Sequence, residues 1–206
     1  MSAQITTWVG NGHEHASAKK PLVILLHGYG ANEVDLPSIM DSIQGDHLWV
    51  SPRAPIGVGP GSFGWYPMTL PLNPDVATAA LATERLWAWI DAHVAQDVPL
   101  KLIGFSQGGF MASQLLRTRP ERIVKTAILS GFVSGHAQPA DERLRTLLPH
   151  VFYAVGLHDT MISQAAIDRA LVWLEGHTSP ELHQLKNLAH SINELELQLL
   201  SKYLQN

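Results

Sequence analysis

The chain has 206 residues, of which 46% are hydrophobic and 16% charged, enough apolar material for one globular domain with a substantial core and too much for a disordered chain. Fourteen Lys and Arg against eighteen Asp and Glu leave a formal charge of -4 and no basic tract, so a nucleic-acid partner has no electrostatic footprint. Zero cysteines exclude disulfides, thiolate metal sites and a thiol nucleophile. The longest aliphatic run, Leu22 to Leu26, is shorter than the about 20 residues of a spanning helix or the about 7 to 15 of a signal-peptide core, so a soluble, cytoplasmic protein without integral membrane association is expected.

In chain order, a weak strand is expected at Gln4 to Val9, followed by a polar stretch from Gly10 to Lys20. His13 and His15 have ligand-like spacing there, but two histidines in a polar, Gly-containing stretch read as a solvated loop, and no metal or other cofactor is assigned. The apolar runs Leu22 to His27 and His47 to Ser51 read as strands covered on both faces. Between Ser51 and Pro74, six prolines and four glycines in 24 residues predict a long loop with neither helix nor inner strand. Phe63, Trp65 and Tyr66 at its centre are candidate substrate contacts, with Trp65 the favoured pocket wall; the competing reading is that they pin the loop to the core.

Asn73, Pro74 and Asp75 then supply a cap, a first-turn proline and a dipole-favourable acid for a helix to about Ala95, with Val76, Ala80, Thr83, Trp87, Ile90 and Val94 on one face. Strands follow at Leu100 to Phe105, Lys125 to Leu129, His150 to Val155 and Glu181 to Leu185; only the last alternates, which suggests an edge. Ser163 can cap a helix carrying Ile167, Ala170, Leu171 and Leu174 and closed by Gly176. Ser191 and Glu194 form a capping-box pattern for a last helix with Ile192, Leu195 and Leu199 turned inward. Strands alternating with helices predict an α/β class with a mostly parallel sheet, and no repeat or linker divides the chain, so 1–206 is expected to be one domain.

The chemistry concentrates at Gly104-Phe105-Ser106-Gln107-Gly108, which directly follows the run Leu100 to Ile103 and directly precedes the helix-like Phe110 to Arg117. This is a G-x-S-x-G nucleophile elbow in its strand-turn-helix context, where the tight turn lifts the Ser106 hydroxyl clear of the sheet and side chains at 104 and 108 would collide with neighbouring backbone. Serine is a weak nucleophile near neutral pH and needs an imidazole base oriented by a carboxylate. In this arrangement the chain order is Ser, acid, His. Asp159 follows a strand at its carboxyl end, and His190 falls between the last strand and the last helix. His158 and His183 lie on the wrong side of the acid or inside a strand, and Asp141 and Asp168 lie before the seventh strand or inside a predicted helix. The developing oxyanion needs two backbone donors, one from Gln107 and one from Tyr29 in the turn His27-Gly28-Tyr29-Gly30.

Taken together, Leu25 to Asn32, Gly104 to Gly109, Gly156-x-x-Asp159 and His190-Ser191-Ile192 resemble the small carboxylesterase, lysophospholipase and acyl-protein thioesterase family, over a stretch from about Pro21 to the C-terminus. The resemblance implies an α/β-hydrolase fold without a large cap, a triad of Ser106, Asp159 and His190, and oxyanion donors at Tyr29 and Gln107. Ala189 stands where the family usually has Gly, and Tyr29 where it commonly has Leu, departures that bear on substrate range. The expected activity is hydrolysis of carboxylic esters of small to medium acyl groups through an acyl-enzyme, with acyl-thioesterase or lysophospholipase activity as the alternative. A binding protein of the same shape is the reading from another class. The expected partner is a small-molecule ester, and a homodimer is left open.

Overall fold

The computed structural model describes residues 4–12, 20–68 and 72–205. Its centre is a seven-stranded sheet in the order β1-β3-β2-β6-β7-β8-β9, where β1 is Trp8–Gly10, β2 Leu22–Leu26, β3 Leu48–Pro52, β6 Leu100–Phe105, β7 Ile123–Leu129, β8 His150–Gly156 and β9 Ser179–Leu185. Only β1 runs antiparallel, against β3; the remaining pairs are parallel. The alternating strand β9 does lie at an edge. The helices are α1 Val76–His93, α2 Gln107–Leu116, α3 Asp141–Leu147, α4 Gln164–His177 and α5 Glu194–Gln205.

Strand β2 shows why the inner strands read as unbroken apolar runs. Leu22, Ile24 and Leu26 join the core formed with α1, α2 and α4, while Val23 and Leu25 join a second core with Leu200, Tyr203 and Leu204 of α5 and with the short 3-10 helix Pro37–Ser42. All five side chains are completely buried. Because successive side chains point to opposite faces, a sheet covered on both sides leaves no position for a polar residue. Burial of each such side chain stabilises the fold by about 1.5–3 kcal/mol relative to exposure.

Several local expectations are corrected. The segment from Ser51 to Pro74 is not loop throughout: β4 Ile56–Gly59 and β5 Ser62–Gly64 form an antiparallel hairpin outside the main sheet. Pro55 and Pro60 flank β4 rather than interrupt it, and Gly61 takes the turn at φ +67°, so the prolines cost the ladder no donor. Helix α1 is capped by Asp75, whose carboxylate accepts from Thr78 N–H at 2.9 Å, rather than by Asn73, which accepts from Gly135 N–H instead. Its Val76 and Ala80 face outward.

Helix α5 starts at Glu194 because Asn193, not Ser191, caps it, its Oδ1 accepting the Glu196 N–H at 2.9 Å. The Ser191 N–H bonds Ala189 O. The helix therefore turns Glu196, Leu200, Tyr203 and Leu204 inward and leaves Leu195 exposed, with Ile192 and Leu199 partly buried. By contrast, Ser163 caps α4 as expected, accepting from Ala166 N–H, although Gly176 lies within that helix. The link from β7 to β8 contains only α3, too little chain for a cap. No helix among the described residues is long and apolar enough to cross a membrane.

Candidate active site

Parallel register brings the carboxyl ends of β2, β6, β7, β8 and β9 to one edge: Leu26 pairs with Gly104, Phe105 with Leu129, Leu129 with Ala154, and Gly156 with Leu185. Ser106 is the single residue between β6 and α2 and holds φ 55°, ψ -116°, a backbone conformation that costs a non-glycine residue on the order of 1–3 kcal/mol. The surroundings impose it. Ser106 N–H donates to Leu129 O at 2.9 Å, and Ser106 O accepts from Phe110 N–H at 3.1 Å. A Cβ at Gly104 would come within 2.1 Å of Gly108 O, and one at Gly108 within 1.8 Å of Leu26 O, so strand and helix approach this closely only with glycine at both positions.

Asp159 and His190 come from adjacent loops. Leu157 N–H donates to Leu185 O and His158 N–H to Leu188 O, both at 2.9 Å, and a Cβ on Gly156 would meet Leu188 O at 2.2 Å, so the loop after β8 is laced to the loop after β9. His190 Nδ1–H donates to Asp159 Oδ2 at 2.8 Å. The carboxylate side chain is fully buried, and its other oxygen accepts from the N–H groups of Met161 at 2.8 Å and Ile162 at 3.0 Å. Three donors compensate the loss of water around that charge. The imidazole leans on Phe105, ring centroids 4.8 Å apart, which fixes its plane, and its bond to Asp159 fixes the tautomer with Nε2 as the free lone pair. Ser106 Oγ closes no hydrogen bond with that nitrogen among the described contacts; bonds of this kind tighten when substrate binds.

The turn after β2 is closed by Ala31 N–H to Gly28 O at 3.3 Å with Gly30 at φ +86°, the pattern of a type II turn. The Tyr29 N–H makes no hydrogen bond with any described residue, and the Gln107 N–H lies in the first turn of α2, where no intrahelical acceptor exists. A Cβ at Gly28 would lie 3.5 Å from Ser106 Cβ, so this turn flanks the elbow. His27 anchors it from beneath. Its Nε2 accepts Ala54 N–H at 3.0 Å, which leaves the ring proton on Nδ1 to donate to Gly28 O at 2.8 Å, and burial holds the imidazole below its ordinary pKa and therefore neutral.

Two of the three aromatics named as candidate substrate contacts are buried. Trp65 and Tyr66 are 1% and 2% exposed. Trp65 Nε1–H donates to His27 O at 2.9 Å, and Tyr66 packs edge-on against Phe110. Phe63 is partly buried beneath the Arg53 guanidinium, which also pairs with the Glu33 carboxylate. Trp65 and Tyr66 belong to the core, an observation that favours the anchoring reading for these two. Exposed apolar side chains on the loops that leave this edge include Tyr29 and Val34 after β2 and Leu157 and Met161 after β8. Apart from Tyr29, sequence reasoning singled out none of them, nor the side chain of Gln107, because nothing in their spacing separates rim from core. His13 and His15 lie outside the described residues; among the described residues no cluster of three or more His, Asp or Glu could hold a metal.

A mostly parallel sheet between helices, with a strained serine elbow and an Asp-His pair at its carboxyl edge, defines an α/β-hydrolase without a cap. Residues 13–206 match the Phospholipase/Carboxylesterase family, and the chain belongs to it. Among solved structures, the carboxylesterase of Bacillus cereus is similar with a TM-score of 0.80 at 21% identity, covering 97% of this chain and 93% of that one. Esterase PE8 is similar with a TM-score of 0.78 at 27% identity over 98% of both chains, and a carboxylesterase from Mesorhizobium loti with 0.80 at 18% identity over 100% of both. A search of curated proteins finds no match.

Proposed function

We propose that this chain, acting as one hydrolase domain, is a serine esterase that cleaves carboxylic esters of small to medium acyl groups through an acyl-enzyme on Ser106. The observation that carries the reading is the Asp159-His190 hydrogen bond, 2.8 Å long, at the same sheet edge as a serine held in a strained elbow. Ser106 Oγ attacks the ester carbon while its proton passes to His190 Nε2; the resulting oxyanion accepts hydrogen bonds from Tyr29 N–H and Gln107 N–H. Collapse breaks the acyl–oxygen bond, and His190 returns the proton to the leaving alcohol. Water then repeats the sequence, giving its proton to His190 and its oxygen to the acyl carbon, and release of the carboxylic acid restores Ser106 Oγ–H. The absence of a cap supports an open cleft suited to small esters, or to acyl groups displayed on larger molecules.

A fluorophosphonate probe tests the reading directly. Wild type should be labelled on Ser106, and Ser106→Ala should lose both labelling and turnover of p-nitrophenyl esters by several orders of magnitude while remaining folded. Turnover retained by folded Ser106→Ala would overturn it. A chain-length series of p-nitrophenyl esters beside acyl-CoA thioesters separates esterase from thioesterase preference.

A further inference from the structure

The Gln107 N–H lies in the first turn of α2, and its side chain is fully buried. Its Oε1 accepts the Trp65 N–H at 2.8 Å, and its Nε2–H donates to Tyr66 O at 2.9 Å. One amide thus grips the backbone of two consecutive residues, Trp65 and Tyr66, at the exit of the β4-β5 hairpin. At its other end, strand β5 pairs with the oxyanion turn: Gly30 N–H donates to Phe63 O at 2.8 Å and Phe63 N–H to Ala31 O at 2.9 Å. The Trp65 indole adds a third tie, to His27 O at 2.9 Å.

The two candidate oxyanion donors are therefore linked by one continuous path of contacts. Starting at the Gln107 N–H, it runs through the Gln107 side chain to Trp65, back along β5 to Phe63, and across to the residues immediately after Tyr29. The path is tight: a Cβ on Gly64 would sit 2.7 Å from Tyr29 Cδ2 and 3.4 Å from Gln107 Oε1, so hairpin, Tyr29 ring and Gln107 amide meet at one point, and a side chain at 64 would have to displace the Tyr29 ring.

We propose that the Gln107 side chain is a positioning group that sets the spacing of the two oxyanion donors by clamping the hairpin against α2. The proposal rests on the serine-hydrolase reading above and adds a role to a side chain whose backbone alone that reading employs. The residue type follows from the chemistry. A terminal amide presents one acceptor and one donor to a backbone N–H and a neighbouring C=O; a carboxylate offers no donor, and an aliphatic chain leaves both peptide groups buried without partners. Oxyanion donors act through preorganised geometry on charge that appears only in the transition state, and misplacement of about 1 Å costs on the order of 100-fold. Loosening the clamp should thus lower kcat and leave KM in place.

Gln107→Met keeps the side-chain length and the backbone N–H but deletes both hydrogen bonds. With a p-nitrophenyl ester, kcat should fall about 10- to 100-fold with KM within about threefold of wild type. Affinity for an alkyl boronic acid, whose tetrahedral adduct on Ser106 offers an oxygen to the same donors, should fall by the same factor. Gln107→Glu, which keeps an acceptor for the Trp65 N–H and removes the donor to Tyr66 O, should give a smaller loss of kcat in the same pattern, and it carries the test alone should Gln107→Met fail to fold. Wild-type kcat in the folded variant, or a loss found entirely in KM, would overturn the proposal. The underlying reading fails separately, if wild type itself is neither labelled at Ser106 nor inhibited by the boronic acid.

Discussion

Glu196→Gln should remove most of a pH-dependent loss of stability that the native chain suffers between weakly acidic and weakly alkaline solution. Glu196 lies in the first turn of α5 with no solvent exposure, and neither carboxyl oxygen closes a hydrogen bond. Burial pushes this carboxyl from the ordinary 4.5 up to about 7, opposed in part by the nearby Asn193 backbone N–H. Between those two values the folded chain holds a proton that the unfolded chain has released, so stability falls as pH rises through that window and levels off above it. At about 1.4 kcal/mol per pH unit, the interval from 4.5 to about 7 is worth on the order of 3 kcal/mol. His27 acts in the opposite direction: its depressed folded pKa means that stability is lost as pH falls below about 6.5, where the unfolded imidazole takes up a proton. The raw pH profile therefore mixes two slopes, and the difference between wild type and variant isolates one. Glutamine buries an amide at the same place, and any penalty for that is independent of pH. Urea unfolding at pH 5, 6, 7 and 8 should show the variant gaining about 2 to 3 kcal/mol on wild type across the range. A difference that stays constant within about 0.5 kcal/mol would refute the account.

Trp65→Ala should cost about 3–5 kcal/mol, read as a large fall in Tm, because it empties a fully buried indole site and orphans His27 O; the ester chain-length optimum should not move, and a shifted optimum at unchanged Tm would restore the pocket-wall reading. Asp159→Asn should lower kcat by about 10⁴-fold in a protein that still folds, since an amide facing His190 favours the wrong ring tautomer; single-turnover rates measure this, and a loss under tenfold would remove Asp159 from the proposed triad.

Much of the frame was legible because it rests on short-range rules. Leu22 to Leu26 reads as a doubly covered strand since every one of its side chains must be apolar, and the glycines at 104 and 108 mark a close approach that no other residue permits. Asp159 and His190 could be singled out because parallel topology delivers strand ends to one edge in a fixed order, and the structure joins them by a hydrogen bond. Cap choice was less legible. Asn73 and Asp75, or Ser191 and Asn193, are chemically equivalent candidates two residues apart, and the choice between them rotates the helix; in α5 it exposes Leu195 and buries Glu196 against its polarity.

What the sequence determined by itself was the α/β class, the elbow at Ser106 and the turn at Tyr29, because steric limits on backbone and the period of apolar residues act over a few positions. Only the tertiary structure decided that Trp65 and Tyr66 face inward, that the proline-rich segment folds into a hairpin, and that the side chain of Gln107 grips it. Those outcomes depend on contacts between residues about 40 positions apart, such as Gln107 with Trp65 and Trp65 with His27. An aromatic or an amide side chain carries no local mark of which distant backbone group it will meet, since the energy that selects the partner comes from burial and hydrogen bonding available only once the sheet has brought both segments to the same edge.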